Sequence, residues 1–124
     1  MKRLLPMTAT LALLAACGGG GATSPTDTVP AGATVVKAVP GLVFDSEQYG
    51  PVAAGDVTIG YVNEDSIYHN LILAQGDNKV ANFQLEVRKK GDVDSGTVNL
   101  DAGTYTVICS VPGHSKMRAT LTIE

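Results

Sequence analysis

The chain has 124 residues, with nine Lys or Arg against twelve Asp or Glu, a formal charge of −3, and only two Cys, two His and three Met. A chain this short supports one small domain, and its acidic balance offers no basic surface for nucleic acid.

The first predicted element is an export signal over residues 1–16. Lys2 and Arg3 precede an apolar run from Leu4 to Ala16, which is too short and too broken by Thr and Pro for a transmembrane helix. The run ends in Leu14-Ala15-Ala16-Cys17. This resembles the lipobox of bacterial lipoproteins, which implies cleavage before Cys17, acylation of its thiol (palmitate among the acyl groups) and anchoring to a membrane by lipid. The alternative is a plain secretory signal with an unmodified cysteine. Either way the protein is expected to be exported, to the periplasm or the cell surface. Without Lys2 and Arg3, seven basic side chains face twelve acidic ones, a balance of about −5.

Residues 17–33 begin with Cys17 and continue GGGGATSPTDTVPAGA. With almost no large apolar side chain, this stretch is predicted to be a flexible linker. The folded domain is predicted over 34–124. Its apolar residues alternate or form short β-branched runs at 34–39, 56–62, 67–74, 80–87, 96–100, 103–109 and 117–124, all read as strands. Turn signals separate them, including Pro40-Gly41, Gly76-Asp77-Asn78, Gly91-Asp92 and Asp101-Ala102-Gly103. Residues 45–54 read as a turn of helix or an irregular excursion. Seven short strands in so small a domain predict an all-β fold, an antiparallel Greek-key sandwich.

The chemistry concentrates in ICSVPGHSKM, residues 108–117. Cys109 closes a predicted strand, His114 follows the Val111-Pro112-Gly113 turn, and Met117 opens the last strand. The other histidine, His69, sits upstream in IYHNLIL. If Cys17 is acylated, Cys109 is an unpaired thiol in an exported protein, which oxidises unless something occupies it. One thiolate, two imidazoles and a weak axial thioether form the ligand group of an electron-transfer copper site. Zinc competes for Cys, His and His, but a thioether is a poor fourth ligand for it. Each residue also has an ordinary reading: a polar histidine in a strand, a buried thiol acting as a small hydrophobe, a methionine filling the core.

Two blocks, AGDVTIGYVNEDSIYHNLIL and LDAGTYTVICSVPGH, resemble the cupredoxins, the small blue copper proteins. Ala102 stands where a proline is frequent in that family. The resemblance implies one type 1 copper ion, with His69 and His114 as its histidines, Cys109 as its thiolate and Met117 as its axial ligand. Met117 follows His114 by three residues, where many relatives have five. The resemblance also implies that Asn70 pins the ligand loops together, with its amide toward the cysteine sulfur. It implies electron exit through the edge of His114, with Val111, Pro112 and Gly113 as docking face. Lys116 and Arg118 beside that face suit an acidic partner.

Both histidines are claimed by one copper, so none remains for a catalytic copper or a Ser-His-Asp set, and no enzyme is expected. The expected function is a membrane-tethered, monomeric one-electron carrier outside the cytoplasmic membrane. Its expected partner is a redox protein such as a c-type cytochrome or a terminal oxidase. The alternative is a protein of copper delivery, storage or resistance, although Met-rich and His-rich tracts are missing from the sequence. A weaker reading is an adhesion or scaffold sandwich that has lost its metal.

Overall fold

The structure, a computed structural model, describes residues 28–124. The export signal, Cys17 and the linker up to residue 27 lie outside the described residues.

Among the described residues, ten strands form two packed sheets: β1 (Thr34–Val39), β2 (Val43–Phe44), β3 (Gln48–Val52), β4 (Gly55–Asn63), β5 (His69–Gln75), β6 (Asn78–Lys79), β7 (Leu85–Val87), β8 (Val93–Leu100), β9 (Gly103–Ile108) and β10 (Arg118–Ile123). The first sheet runs β2-β1-β4-β8, and the second runs β3-β10-β9-β5-β6, with β7 also pairing β5. The alternation visible in the sequence is the alternation of burial. Val36 and Ala38 of β1, Val57, Ile59 and Tyr61 of β4, and Leu100 of β8 turn inward from the first sheet. Leu71 and Leu73 of β5, Tyr105 and Val107 of β9, and Leu121 and Ile123 of β10 meet them from the second. Fully burying each Val, Leu or Ile is worth about 1.5–3 kcal/mol, so this interleaved layer fixes strand register.

The expected sandwich is present, with three corrections. The pairing is mixed rather than antiparallel throughout, because β1 runs parallel to β4 and β3 parallel to β10. Between β1 and β4 the chain crosses to the second sheet to lay down β3 and then returns, so β4 re-enters the first sheet in the same direction as β1. The expected excursion at 45–54 contains strand β3, whose Gly50-Pro51 hides its pattern. Proline is tolerated there because β3 is an edge strand bonded only to β10. The strand expected over 80–87 shrinks to Leu85–Val87, since Asn82 adopts a left-handed φ of 59° and breaks the extended run.

The end of the expected linker packs against the domain. Ala33 N donates to Pro30 O at 3.2 Å, closing a turn, and Val29 lies over Gly60 of β4. A Cβ on Gly60 would fall 2.3 Å from Val29 Cγ1, so only glycine leaves room for this contact.

Candidate metal centre

The site forms where β5 meets the loop between β9 and β10. β5 and β9 pair antiparallel with Ile72 opposite Ile108. Two residues further along, Asn70 faces Ser110, and their side chains complete the pairing. Ser110 N donates to Asn70 Oδ1 and Asn70 Nδ2 donates to Ser110 Oγ, both at 2.7 Å. His69 and Cys109, the residues next to this pair, are thereby held side by side.

The β9–β10 loop is a double turn. Its neck is closed by Cys109 N donating to Met117 O at 3.1 Å. Inside it, His114 N donates to Val111 O at 3.0 Å, with Pro112 second in the turn and Gly113 third at a φ of 88°. That is a type II turn, in which proline presets one position and glycine alone accepts the next without strain. A second turn follows at once, with Met117 N donating to His114 O at 2.9 Å. His114 and Met117 are thus the two ends of one four-residue turn, which gives the three-residue spacing its structural basis.

One ligand atom from each of His69, Cys109 and His114 lies within 4.8 Å of the other two. Cys109 Sγ is 3.5 Å from His114 Nδ1, and the two imidazole centroids are 4.9 Å apart. His69 and Met117 are 0% exposed, Cys109 3% and His114 8%. Met117 is bonded through its backbone to both Cys109 and His114, and its side chain belongs to the buried cluster that includes Cys109.

A residue that the sequence did not single out completes the arrangement. Asp65 Oδ2 lies 2.9 Å from His69 Nε2. The hydrogen bond from His69 holds the Asp65 carboxyl below its usual value, although burial opposes it. An ionised carboxylate only accepts, so His69 donates from Nε2, and Nδ1 is the ring nitrogen left to face a metal. That Nδ1 is buried and has no hydrogen-bond partner. Burial, and then the neighbouring His69, push His114 below the ordinary imidazole value, although Asp65 opposes them. A buried ring nitrogen without a partner, a second imidazole and a thiol within a few ångströms fit a soft metal ion. The legible signal for Asp65 was a carboxylate four residues before a candidate ligand histidine.

Residues 31–124 match the family of copper binding proteins that includes plastocyanin and azurin. The chain belongs to this family. Auracyanin-A of Chloroflexus aurantiacus is 29% identical over 145 residues, covering 92% of this chain and 90% of that protein. The fold is similar to reduced auracyanin from Roseiflexus castenholzii, with a TM-score of 0.61 at 18% identity over 75% of this chain and 99% of that one. It is also similar to amicyanin from Paracoccus versutus, with a TM-score of 0.54 at 24% identity over 77% and 85% of the two chains. The cofactor is one type 1 copper ion, matching the donor set that the fold assembles.

The remaining sequence-derived residues fall around this centre. Pro112 and Gly113 are exposed at the tip of the type II turn, and Val111 is half-buried beside them. Lys116 is exposed on the second turn. Arg118 lies beyond the loop, where it lines a shallow groove on the second sheet with Glu47, Gln48, Thr106 and Thr120. The loop before β5 adds Ile67, an apolar side chain left 43% exposed.

Proposed function

We propose that this protein is a one-electron carrier whose copper is held by His69, Cys109 and His114, with Met117 as a weak axial ligand. The observation that carries the proposal is the convergence of one thiol and two imidazoles within 4.8 Å, with a buried, unpartnered His69 Nδ1 among them. When bound, the ion supplies a Cu(II)/Cu(I) couple. The protein contributes a ligand frame tied by its own hydrogen bonds, so little has to move when the electron arrives or leaves. Both histidines of the sequence stand in this site, so no histidine remains to build a catalytic centre.

His114 keeps 8% of its surface while His69 has none, which favours His114 as the route for the electron. Val111, Pro112 and Gly113 would form the docking face around it, with Lys116 and Arg118 drawing an acidic redox partner such as a c-type cytochrome or a terminal oxidase. The charged start, apolar run and Leu14-Ala15-Ala16-Cys17 support export and a lipid tether at Cys17, which would place a monomeric carrier outside the cytoplasmic membrane. Buried ligands and only three methionines in the chain favour electron transfer over copper delivery or storage, which need ready exchange of the ion.

The test is direct. The purified chain is loaded with Cu(II) and its visible spectrum recorded. An intense thiolate-to-copper charge-transfer band is expected, and Cys109→Ser should abolish it. A protein that stays colourless when loaded would rule the carrier out.

A further inference from the structure

Asp65 stands on the far side of His69 from the proposed copper. It is fixed there by three hydrogen bonds. Its Oδ2 accepts from His69 Nε2 at 2.9 Å, and its Oδ1 accepts from Ser66 N at 2.8 Å. Its own backbone N donates to Asn63 Oδ1 at 2.9 Å. Asn63 is buried, and it ties the turn together by donating from Nδ2 to Ile67 O at 2.8 Å. The backbone of Asn63 is bonded in turn to the loop before β8, with Asn63 N donating to Asp92 O and Gly91 N donating to Asn63 O. Glu64 N donates to Ala38 O, so the same turn is also anchored to the end of β1.

We infer that Asp65 is a positioning residue of the copper centre, one that orients His69 and lowers the reduction potential through its negative charge. The inference rests on the reading of His69, Cys109 and His114 as the ligand set. Orientation follows from the tautomer: with Nε2 donating to Asp65, only Nδ1 is left for a metal, and the ring is held along that bond. The effect on potential follows from charge. One cysteine thiolate and one aspartate balance the two positive charges of Cu(II). Adding one electron leaves one negative charge without a counterpart in a poorly solvated site. The Asp65 side chain is 13% exposed and His69 is closed to solvent, so water screens that excess weakly. Among the described residues no Lys or Arg forms an ion pair with Asp65: Lys37 on the adjoining β1 is paired to Glu64 at 3.1 Å, and Arg88 to Glu86 at 3.1 Å. The carboxylate therefore favours the oxidised ion and makes the reduced protein the better electron donor.

Glu64 supplies the control. It immediately precedes Asp65 in the chain, its side chain is 46% exposed, and it reaches Lys37 rather than His69. The experiment measures the potential of the copper-loaded full chain at pH 7 and fixed ionic strength, for wild type, Asp65→Asn, Asp65→Ser, Asp65→Glu and Glu64→Gln. Removing the charge at Asp65 should shift the Cu(II)/Cu(I) equilibrium about tenfold or more toward Cu(I), a rise of about 59 mV per tenfold for a one-electron couple. Asp65→Glu should return toward wild type, and Glu64→Gln should move the equilibrium less than threefold. Asp65→Ser decides the matter if Asp65→Asn does not fold. A purely structural Asp65 would lower the unfolding midpoint of these variants and leave the potential where it is. That outcome, or an equal shift in Glu64→Gln, overturns the inference while wild type stays coloured. A colourless wild type overturns the copper reading itself.

Discussion

Asn70 and Ser110, forty residues apart in the chain, satisfy each other through two hydrogen bonds of 2.7 Å. Each is the immediate neighbour of a proposed ligand, so the pair sets how His69 on β5 approaches Cys109 after β9. Asn70→Ala removes both bonds and strands the Ser110 N–H. The metal-free protein should lose about 1–3 kcal/mol in urea unfolding. The copper-loaded variant should also show a shifted charge-transfer band, because the sulfur would no longer be held in register with the imidazole. A variant with normal stability and an unmoved band would remove this pair from the architecture of the site.

Met117 is fully buried, so its replacement has to separate packing from ligation. Met117→Leu nearly conserves volume and should cost less than about 1.5 kcal/mol. The colour should survive because the thiolate and imidazoles remain. The potential should rise, since an apolar side chain donates no electron pair to the oxidised ion. Voltammetry beside thermal unfolding makes the comparison, and an unchanged potential would leave Met117 as core filling alone.

Charge at the proposed docking face should act on rate rather than on the site. Changing Lys116 and Arg118 together to Glu should slow reduction by an acidic redox partner about tenfold or more at low salt. The difference should fade as the screening length shrinks from about 30 Å at 0.01 M to about 3 Å at 1 M. Stopped-flow rates across a salt series read this out. Arg118 faces the groove with Glu47, so Lys116→Glu alone should carry most of the effect.

Asp92 gives a pH dependence away from the copper. Its Oδ2 accepts from Arg88 N and Lys89 N at 2.9 and 3.1 Å, and these bonds hold its carboxyl below the ordinary value of 3.8. A carboxyl lowered in the folded state stabilises the protein above its unfolded value, and that contribution is lost as pH falls through the folded one. Wild type should therefore be more stable than Asp92→Ala at pH 7, with the gap closing as pH drops below about 4. Unfolding midpoints at pH 7, 4 and 3 test it, and a gap that does not narrow as the pH falls would count against the assignment.

Strands whose inward residues alternate cleanly, such as Val36 and Ala38 in β1 or Tyr105 and Val107 in β9, could be read directly, because burial on one face imposes a period of two. β3 could not, since Gln48–Val52 owes its place to backbone bonds with β10 and carries a glycine and a proline. The parallel pairings were equally hidden, because direction depends on how often the chain crosses between sheets. In the site, Cys109, His114 and Met117 stood out by scarcity, and His69 by the second block. Asp65 did not: an acid in the turn Asn63-Glu64-Asp65-Ser66 looks like any solvated loop until the chain folds back four residues onto His69.

The bond between Cys109 N and Met117 O, with the two turns inside it, is made between backbone groups of the polypeptide. Where a zinc finger must collapse around its ion, uptake and folding are a single event. Here the loop is tied by backbone bonds of the chain itself, so the two should be separable: the metal-free protein should already unfold cooperatively and resist protease, and copper should raise its unfolding midpoint without creating the fold.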